Sequence, residues 1–273
     1  RFGATLAAGD VNGDVVVDLA IGVPGEDING VSDAGLLHVI PGRTGQQLAI
    51  AASVHRDARA LPSPFGVLQT DAQFGSVLAI GMFKNTSFSV RNLVVGVPEQ
   101  DVAVAGRLSA LSTTRVDAGI VTIFSGNSPL LTSSELLGSG VQVWTAETLG
   151  ATVQAFARLG QTLAVGNLTG DGPDDLAVAA PGQNAGGASQ AGVVFVVPGS
   201  GVSNDALCQV CDGGGLVPSA AQVLDQESVG TRRETGDRFG GSVASRSAAT
   251  MTAGDMDGDG QDDLFIGSPQ EDG

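Results

Sequence analysis

Residues 2–24 read Phe2-Gly3-Ala4-Thr5-Leu6-Ala7-Ala8-Gly9-Asp10-Val11-Asn12-Gly13-Asp14-Val15-Val16-Val17-Asp18-Leu19-Ala20-Ile21-Gly22-Val23-Pro24, and this stretch decides the fold. Ala4 to Ala8 predicts a short strand and Asp18 to Val23 a second, joined by the Asp-rich segment as a hairpin loop. The stretch recurs. Phe74-Gly75 through Val97-Pro98, Leu159-Gly160 through Ala180-Pro181 and Phe239-Gly240 through Ser268-Pro269 all open on an aromatic residue or Leu before Gly, and all close on an apolar run into Pro. Units starting near 2, 74, 159 and 239 are longer than most repeats and suit one supersecondary unit each, with loop insertions.

Working outward, a third strand is expected at Gly35 to Ile40, Gly119 to Phe124 and Gly192 to Val197, each preceded by Ala and closed by Gly42, Gly126 or Gly199. A weaker fourth is expected at Gln47 to Val54, Gly140 to Thr145 and Ala221 to Asp225. Four antiparallel strands per unit make a propeller blade. The expected class is therefore all-β, with residues 1–273 holding three complete blades and a partial fourth. A sandwich or a solenoid of the same hairpins is the alternative that strand patterning leaves open. An open propeller would leave strand edges unpaired, so the chain is expected to be a segment of a larger ring.

The loops carry the chemistry. In Asp255-Met256-Asp257-Gly258-Asp259-Gly260-Gln261-Asp262-Asp263, carboxylates stand at positions 1, 3, 5 and 9. Calcium takes six to eight hard oxygen ligands, which closely spaced Asp side chains and a backbone carbonyl (here that of Gln261, at position 7) supply within one turn. An EF-hand would need Glu at position 12, which is Ile266. The first unit repeats the pattern with Asp10, Asn12, Asp14 and Asp18, the Val16 carbonyl standing at position 7. The third offers Asn167, Thr169, Asp171 and Asp175 with the Pro173 carbonyl, fewer charges and a weaker expected site. A metal-free Asx turn is its alternative. Between Met82 and Leu93 the second unit has no carboxylate; either Lys84 or Arg91 supplies positive charge where other blades place an ion, or both are ordinary exposed surface residues.

Composition excludes several partners. With 29 acidic against 13 basic residues and a net charge of −16, the chain lacks the basic surface that nucleic acid or an anionic membrane demands. Cations are the natural partners. No apolar run approaches the ~20 residues of a membrane span. Forty-one glycines and few aromatic residues suit short strands and tight turns. Only His38 and His55 are available for imidazole chemistry, and both read as structural or exposed. No catalytic residue is assigned. Trp144 is expected to pack between blades. Cys208 and Cys211 form a Cys-x-x-Cys that reads first as a local disulfide and next as two free thiols, since a zinc site lacks further ligands and a redox dithiol lacks its α/β context. Asn85-Thr86-Ser87 matches an N-glycosylation acceptor, relevant in a eukaryotic secretory host.

Phe-Gly, then Gly-Asp-x-Asn-Gly-Asp, then Asp-Leu-x-x-Gly-x-Pro, then Ala-Gly before an apolar strand together resemble the FG-GAP repeat of integrin α-subunit propellers and their bacterial relatives. The resemblance implies a complete ring of about seven blades, calcium in the hairpin loops of one face, and ligands or partner subunits on the other. The segments after each Pro, Gly25 to Asp33, Glu99 to Asp117 and Gln183 to Gln190, vary in length and composition, as recognition loops do. The expected function is a calcium-binding extracellular or secreted module for adhesion or scaffolding, engaging a protein or glycan opposite the calcium loops, or itself. A structural part of a surface layer or filament, and an accessory domain of a secreted hydrolase, are the alternatives; FG-GAP repeats also accompany secreted phospholipases.

Overall fold

A computed structural model describes residues 1–45, 47–84, 91–105, 112–126, 140–200, 215–241 and 250–270. The first blade is the antiparallel sheet β1 (Thr5–Gly9), β2 (Asp18–Val23), β3 (Leu36–Ile40), β4 (Val54–Arg56), paired in chain order. The second is β5 (Val77–Gly81), β6 (Asn92–Val97), β9 (Ile120–Phe124) and β10 (Val141–Trp144). The third is β11 (Leu163–Gly166), β12 (Asp175–Ala180), β13 (Val193–Val197) and β14 (Gln222–Leu224). A two-stranded pair, β15 (Met251–Gly254) and β16 (Asp263–Ile266), begins a fourth. The chain is all-β and its four-stranded antiparallel sheets have the form of propeller blades; the described residues do not close a ring.

Two segments differ from the sequence expectation. The fourth strand of the first unit lies at Val54–Arg56, after a 3-10 turn over Ile50–Ala52. The apolar run from Leu48 reads as a strand, yet Leu48 and Ile50 are exposed. What selects the strand is register: Val54 pairs with Val39 and is buried. Within the segment expected to be a loop from Glu99 to Asp117, a hairpin forms from β7 (Val102–Ala105) and β8 (Ser112–Arg115). Val102 is buried and anchors it.

The blades stand side by side, with β5 packed between β1 and β11, and β11 between β5 and β15. Central strands are covered on both faces, which is why β6, β9, β12 and β13 are buried along their whole length rather than alternately. Period 2 then divides one strand between two cores. Leu93, Val95 and Val97 of β6 join Leu37, Val39 and Phe74, whereas Val94 joins Trp144, Leu176 and Phe195 in the next interface. Trp144 thus packs between the second and third blades, as expected.

The Phe-Gly and Ala-Gly motifs meet in space. The amide of Phe74 donates to the carbonyl of Ala34 at 3.0 Å, that of Leu159 to Ala118 at 3.0 Å, and that of Phe239 to Ala191 at 2.9 Å. Each unit is thereby bonded to the unit before it, and the side chain enters the interface: Phe74, Leu159 and Phe239 are 1, 0 and 4 % exposed. Phe2 makes no such contact within residues 1–45 and is 68 % exposed. The close approach needs glycine. At Gly119, φ is +79° and a Cβ would meet the backbone of Leu159 at less than van der Waals distance. Among the described residues no helix is long and apolar enough to cross a membrane.

Gly119→Ala should therefore destabilise by about 1–2 kcal/mol for the left-handed backbone plus about 1–3 kcal/mol for the clash. Gly150→Ala, at φ +81° with open space around it, should carry the backbone cost alone. Urea unfolding of both variants measures the difference, and equal losses would mean that the inter-unit contact is not tight.

Candidate metal centre

The first and fourth loops are folded by their own side-chain oxygens. In the first, Asp10 accepts the amides of Gly13 at 2.6 Å and Val15 at 2.8 Å, Asn12 accepts that of Asp14 at 2.8 Å, Asp14 that of Val16 at 2.9 Å, and Asp18 that of Val11 at 3.0 Å. The fourth loop repeats this wiring position for position. Asp255 accepts from Gly258 and Gly260, Asp257 from Asp259, Asp259 from Gln261, and Asp263 from Met256, at 2.7–3.0 Å. Two loops of different sequence so reach the same curl, side-chain oxygens turned inward onto backbone amides.

In the fourth loop the carboxylates of Asp255, Asp257 and Asp263 each bring an oxygen within 4.8 Å of the others, and among the described residues no other acidic trio converges so closely. Oxygens about 2.3–2.6 Å from one calcium ion lie at most about 5 Å apart, so the spacing and the all-oxygen donor set fit the ion. Asp259, expected as a ligand, stands outside the trio and holds the Gln261 amide. Asp10, Asp14 and Asp18 do not converge to the same spacing. Burial raises the pKa of Asp18, against the amide bonds from Gly42 and Val11 that lower it, and Asp14 and Asp10 raise it further. A cation in the loop would offset both the burial and the repulsion.

The third loop is wired differently. Asp175 accepts the amide of Thr169, one position later than in the other two loops, while Asn167 keeps the bond to position 6, accepting the Gly172 amide at 3.3 Å. Position 9 also has a role apart from metal. Asp18 accepts the Gly42 amide at 2.9 Å, Asp175 that of Gly199 at 2.8 Å, and Asn92 in the second unit that of Gly126 at 3.1 Å. One oxygen ties the start of the second strand to the glycine that closes the third. Asn92 keeps that tie without the charge, so the second unit retains the blade while lacking acidic ligands.

Sequence reading missed the residue just before position 9. The amide of Asp174 donates to the Met82 carbonyl at 2.9 Å while its carboxylate accepts the Met82 amide at 2.7 Å. Asp262 clamps Asn167 in the same two-way manner, at 3.0 and 2.8 Å. These acids bind neighbouring loops together, and the doublets Asp174-Asp175 and Asp262-Asp263 were the available signal. Arg91 occupies the corresponding place in the second unit. Its amide donates to Asp10 and its guanidinium lies 3.8 Å from Asp174, while Lys84 bridges to Ser200 of the third blade.

His38 and His55 face each other across β3 and β4 with ring centroids 6.1 Å apart, and burial, then His55, lowers the pKa of His38 against the pull of Glu26. Among the described residues neither is joined to a nucleophile. Cys208, Cys211 and the Asn85 acceptor lie outside the described residues.

Blades of this topology, joined through Phe-Gly and Ala-Gly and carrying Asp-rich loops between their first two strands, mark FG-GAP repeats within the chain. The FG-GAP repeat family model matches residues 2–40, 159–197 and 247–273, in the first, third and fourth units. The unmatched second unit is the one without loop carboxylates and with the inserted hairpin. The chain is also similar to mouse (Mus musculus) integrin alpha-X, 42 % identical over 64 residues. That match covers 23 % of this chain and 5 % of the integrin, so it speaks for the repeat and not for the whole relative.

Two measurements follow from the loops. Val15 holds φ +62° at the position where the fourth loop has glycine, and it is 85 % exposed, so Val15→Gly should raise stability by about 1 kcal/mol, less the entropy of glycine. Asp262→Ala removes a bond between loops and should cost about 1 kcal/mol. Thermal melts of the two variants should shift in opposite directions; a destabilised Val15→Gly would show that the backbone there is not strained.

Proposed function

We propose that this chain is a calcium-stabilised binding module that works outside the cell or at its surface. The observation that carries the reading is the convergence of Asp255, Asp257 and Asp263 in a loop already curled by its own hydrogen bonds. Preorganisation lowers the cost of gathering three like charges, and the ion supplies the attraction that the metal-free loop lacks. The first loop, with the same wiring and two of its acids buried, is the second tight site, and the third is weaker. Extracellular modules bind calcium at about 10⁻⁴–10⁻³ M, a range that free calcium outside cells reaches and the cytosol does not. The likeness to integrin alpha-X over one repeat stretch supports the same compartment.

The ions act at one end of the blades whose loops carry acids, in the β1–β2 type of hairpin. At the other end lie the turns after each Pro and before each Phe-Gly, held by backbone bonds such as Gly182 to Ala157 and Arg158 to Asp117. That end is the partner face, and its ligand is a protein. The role is binding and scaffolding rather than catalysis: among the described residues neither histidine contacts a nucleophile, and the acids that cluster are taken up by the loops.

Calcium at a hundredfold excess over its dissociation constant should stabilise the chain by about 3 kcal/mol per site, and a chelator should remove the gain. Asp257→Asn keeps the oxygen that holds the Asp259 amide and deletes a ligand charge, so it should lose one site's share. Thermal melts with calcium and with chelator read both. A melting temperature indifferent to chelator in the unsubstituted chain would refute the metal reading.

A further inference from the structure

The residue before each Phe-Gly is Arg1, Gln73, Arg158 or Arg238, and the residue before each Ala-Gly is Asp33, Asp117 or Gln190. The docking of one unit on the next brings them together, through the amide of Gln73 on Asp33, of Arg158 on Asp117 and of Arg238 on Gln190, all at 3.0–3.1 Å. Between the second and third blades the arginine is neutralised. Arg158 lies 3.6 Å from Glu99, the residue after Pro98, and near Asp117, whose pKa burial holds above the usual carboxylate range against the pull of Arg158.

Between the third and fourth units both acids are replaced. Gln190 stands where Asp117 stood, and Gly182, after Pro181, stands where Glu99 stood. A Cβ at Gly182 would collide with the Phe156 carbonyl, so this chain cannot place its own acid there. Arg238 is half-buried, donates at 3.4 Å to Gln190, and has no carboxylate within 4 Å among the described residues. At this junction a cavity of about 210 Å³ opens, walled by Arg158, Arg238, Gln161, Gln190, Pro181 and the half-exposed ring of Phe156.

We propose that this cavity is a binding site for an acidic side chain of a partner protein, whose carboxylate takes beside Arg238 the place that Glu99 takes beside Arg158. The occupant is a polypeptide acid because the molecule's own template at the preceding junction is one. A guanidinium favours a planar carboxylate, the two glutamine amides suit a peptide backbone, and Phe156 with Pro181 suits an apolar neighbour of the acid. In a chain of net charge −16 the general field opposes an acidic partner, but beyond about 8 Å it is screened at physiological ionic strength, so the local cation decides. The proposal rests on the partner face assigned above and is independent of the calcium loops.

The test titrates the calcium-loaded chain with an acetylated peptide bearing one Glu between two leucines, and with the same peptide bearing Gln, followed by NMR. The Glu peptide should bind at least about tenfold tighter, the worth of a charge-assisted bond. Arg238→Gln should lose that preference. It places at 238 the residue that the first junction carries at 73, with φ +59° against +54°, and so should fold. Gln190→Asp, which restores the internal acid of the preceding junction, should also abolish it. Equal binding of the two peptides, or a preference that survives Arg238→Gln, would overturn the proposal, as would binding of glucuronate with no binding of the peptide. A chelator arm reports the calcium reading separately through the melting temperature.

Discussion

Everything in this chain hangs on the contact in which the amide of one unit's Phe-Gly residue meets the Ala carbonyl of the unit before. A blade has two apolar faces and cannot bury either alone. The bond from Phe74 to Ala34, repeated at Leu159 and Phe239, sets the spacing at which those faces meet, and the glycine beside the alanine removes the Cβ that would hold them apart. Burial of the central strands on both sides is the consequence. So is the division of β6 between two cores, since a strand between two close neighbours must send successive side chains to different interfaces.

The same spacing brings the hairpin loops of adjacent blades into register. Asp174 and Asp262 reach across to the loop before theirs and bond its backbone in both directions, so the loops form one connected rim. Within the fourth loop the carboxylates work twice, organising amides and bringing oxygens of Asp255, Asp257 and Asp263 together. This double duty explains why the second unit retains its blade without acids. Asn92 performs the structural half of the task, which needs an acceptor and not a charge.

At the opposite end of the blades the docking contact has another result. It places the residue before Phe-Gly against the residue before Ala-Gly at every junction, and the chemistry of that pair is free to vary. Arginine with its acids nearby closes one junction, and arginine with glutamine and glycine leaves a cavity at the next. A repeat can thus keep a constant framework while each junction acquires its own surface.

Class, repeat and loop positions were legible in residues 2–24 and their echoes, because short apolar strands, Asp-rich turns and the Phe-Gly and Ala-Gly pairs are local patterns. Less legible was the fourth strand near Val54, where an apolar run pointed to Leu48 and Ile50 but pairing with Val39 chose otherwise. The β7–β8 hairpin was hidden in a long insertion, anchored by Val102 against residues distant in sequence. Asp259 counted as a ligand by spacing yet stands outside the converging trio, and Asp262 was passed over yet holds two loops together. By itself the sequence determined which segments become strands and which loops collect oxygen, since these depend on neighbours along the chain. Only the tertiary structure decided which oxygens converge, which arginine among the described residues is left without an acid and where a cavity opens, because those depend on how closely one blade packs on the next.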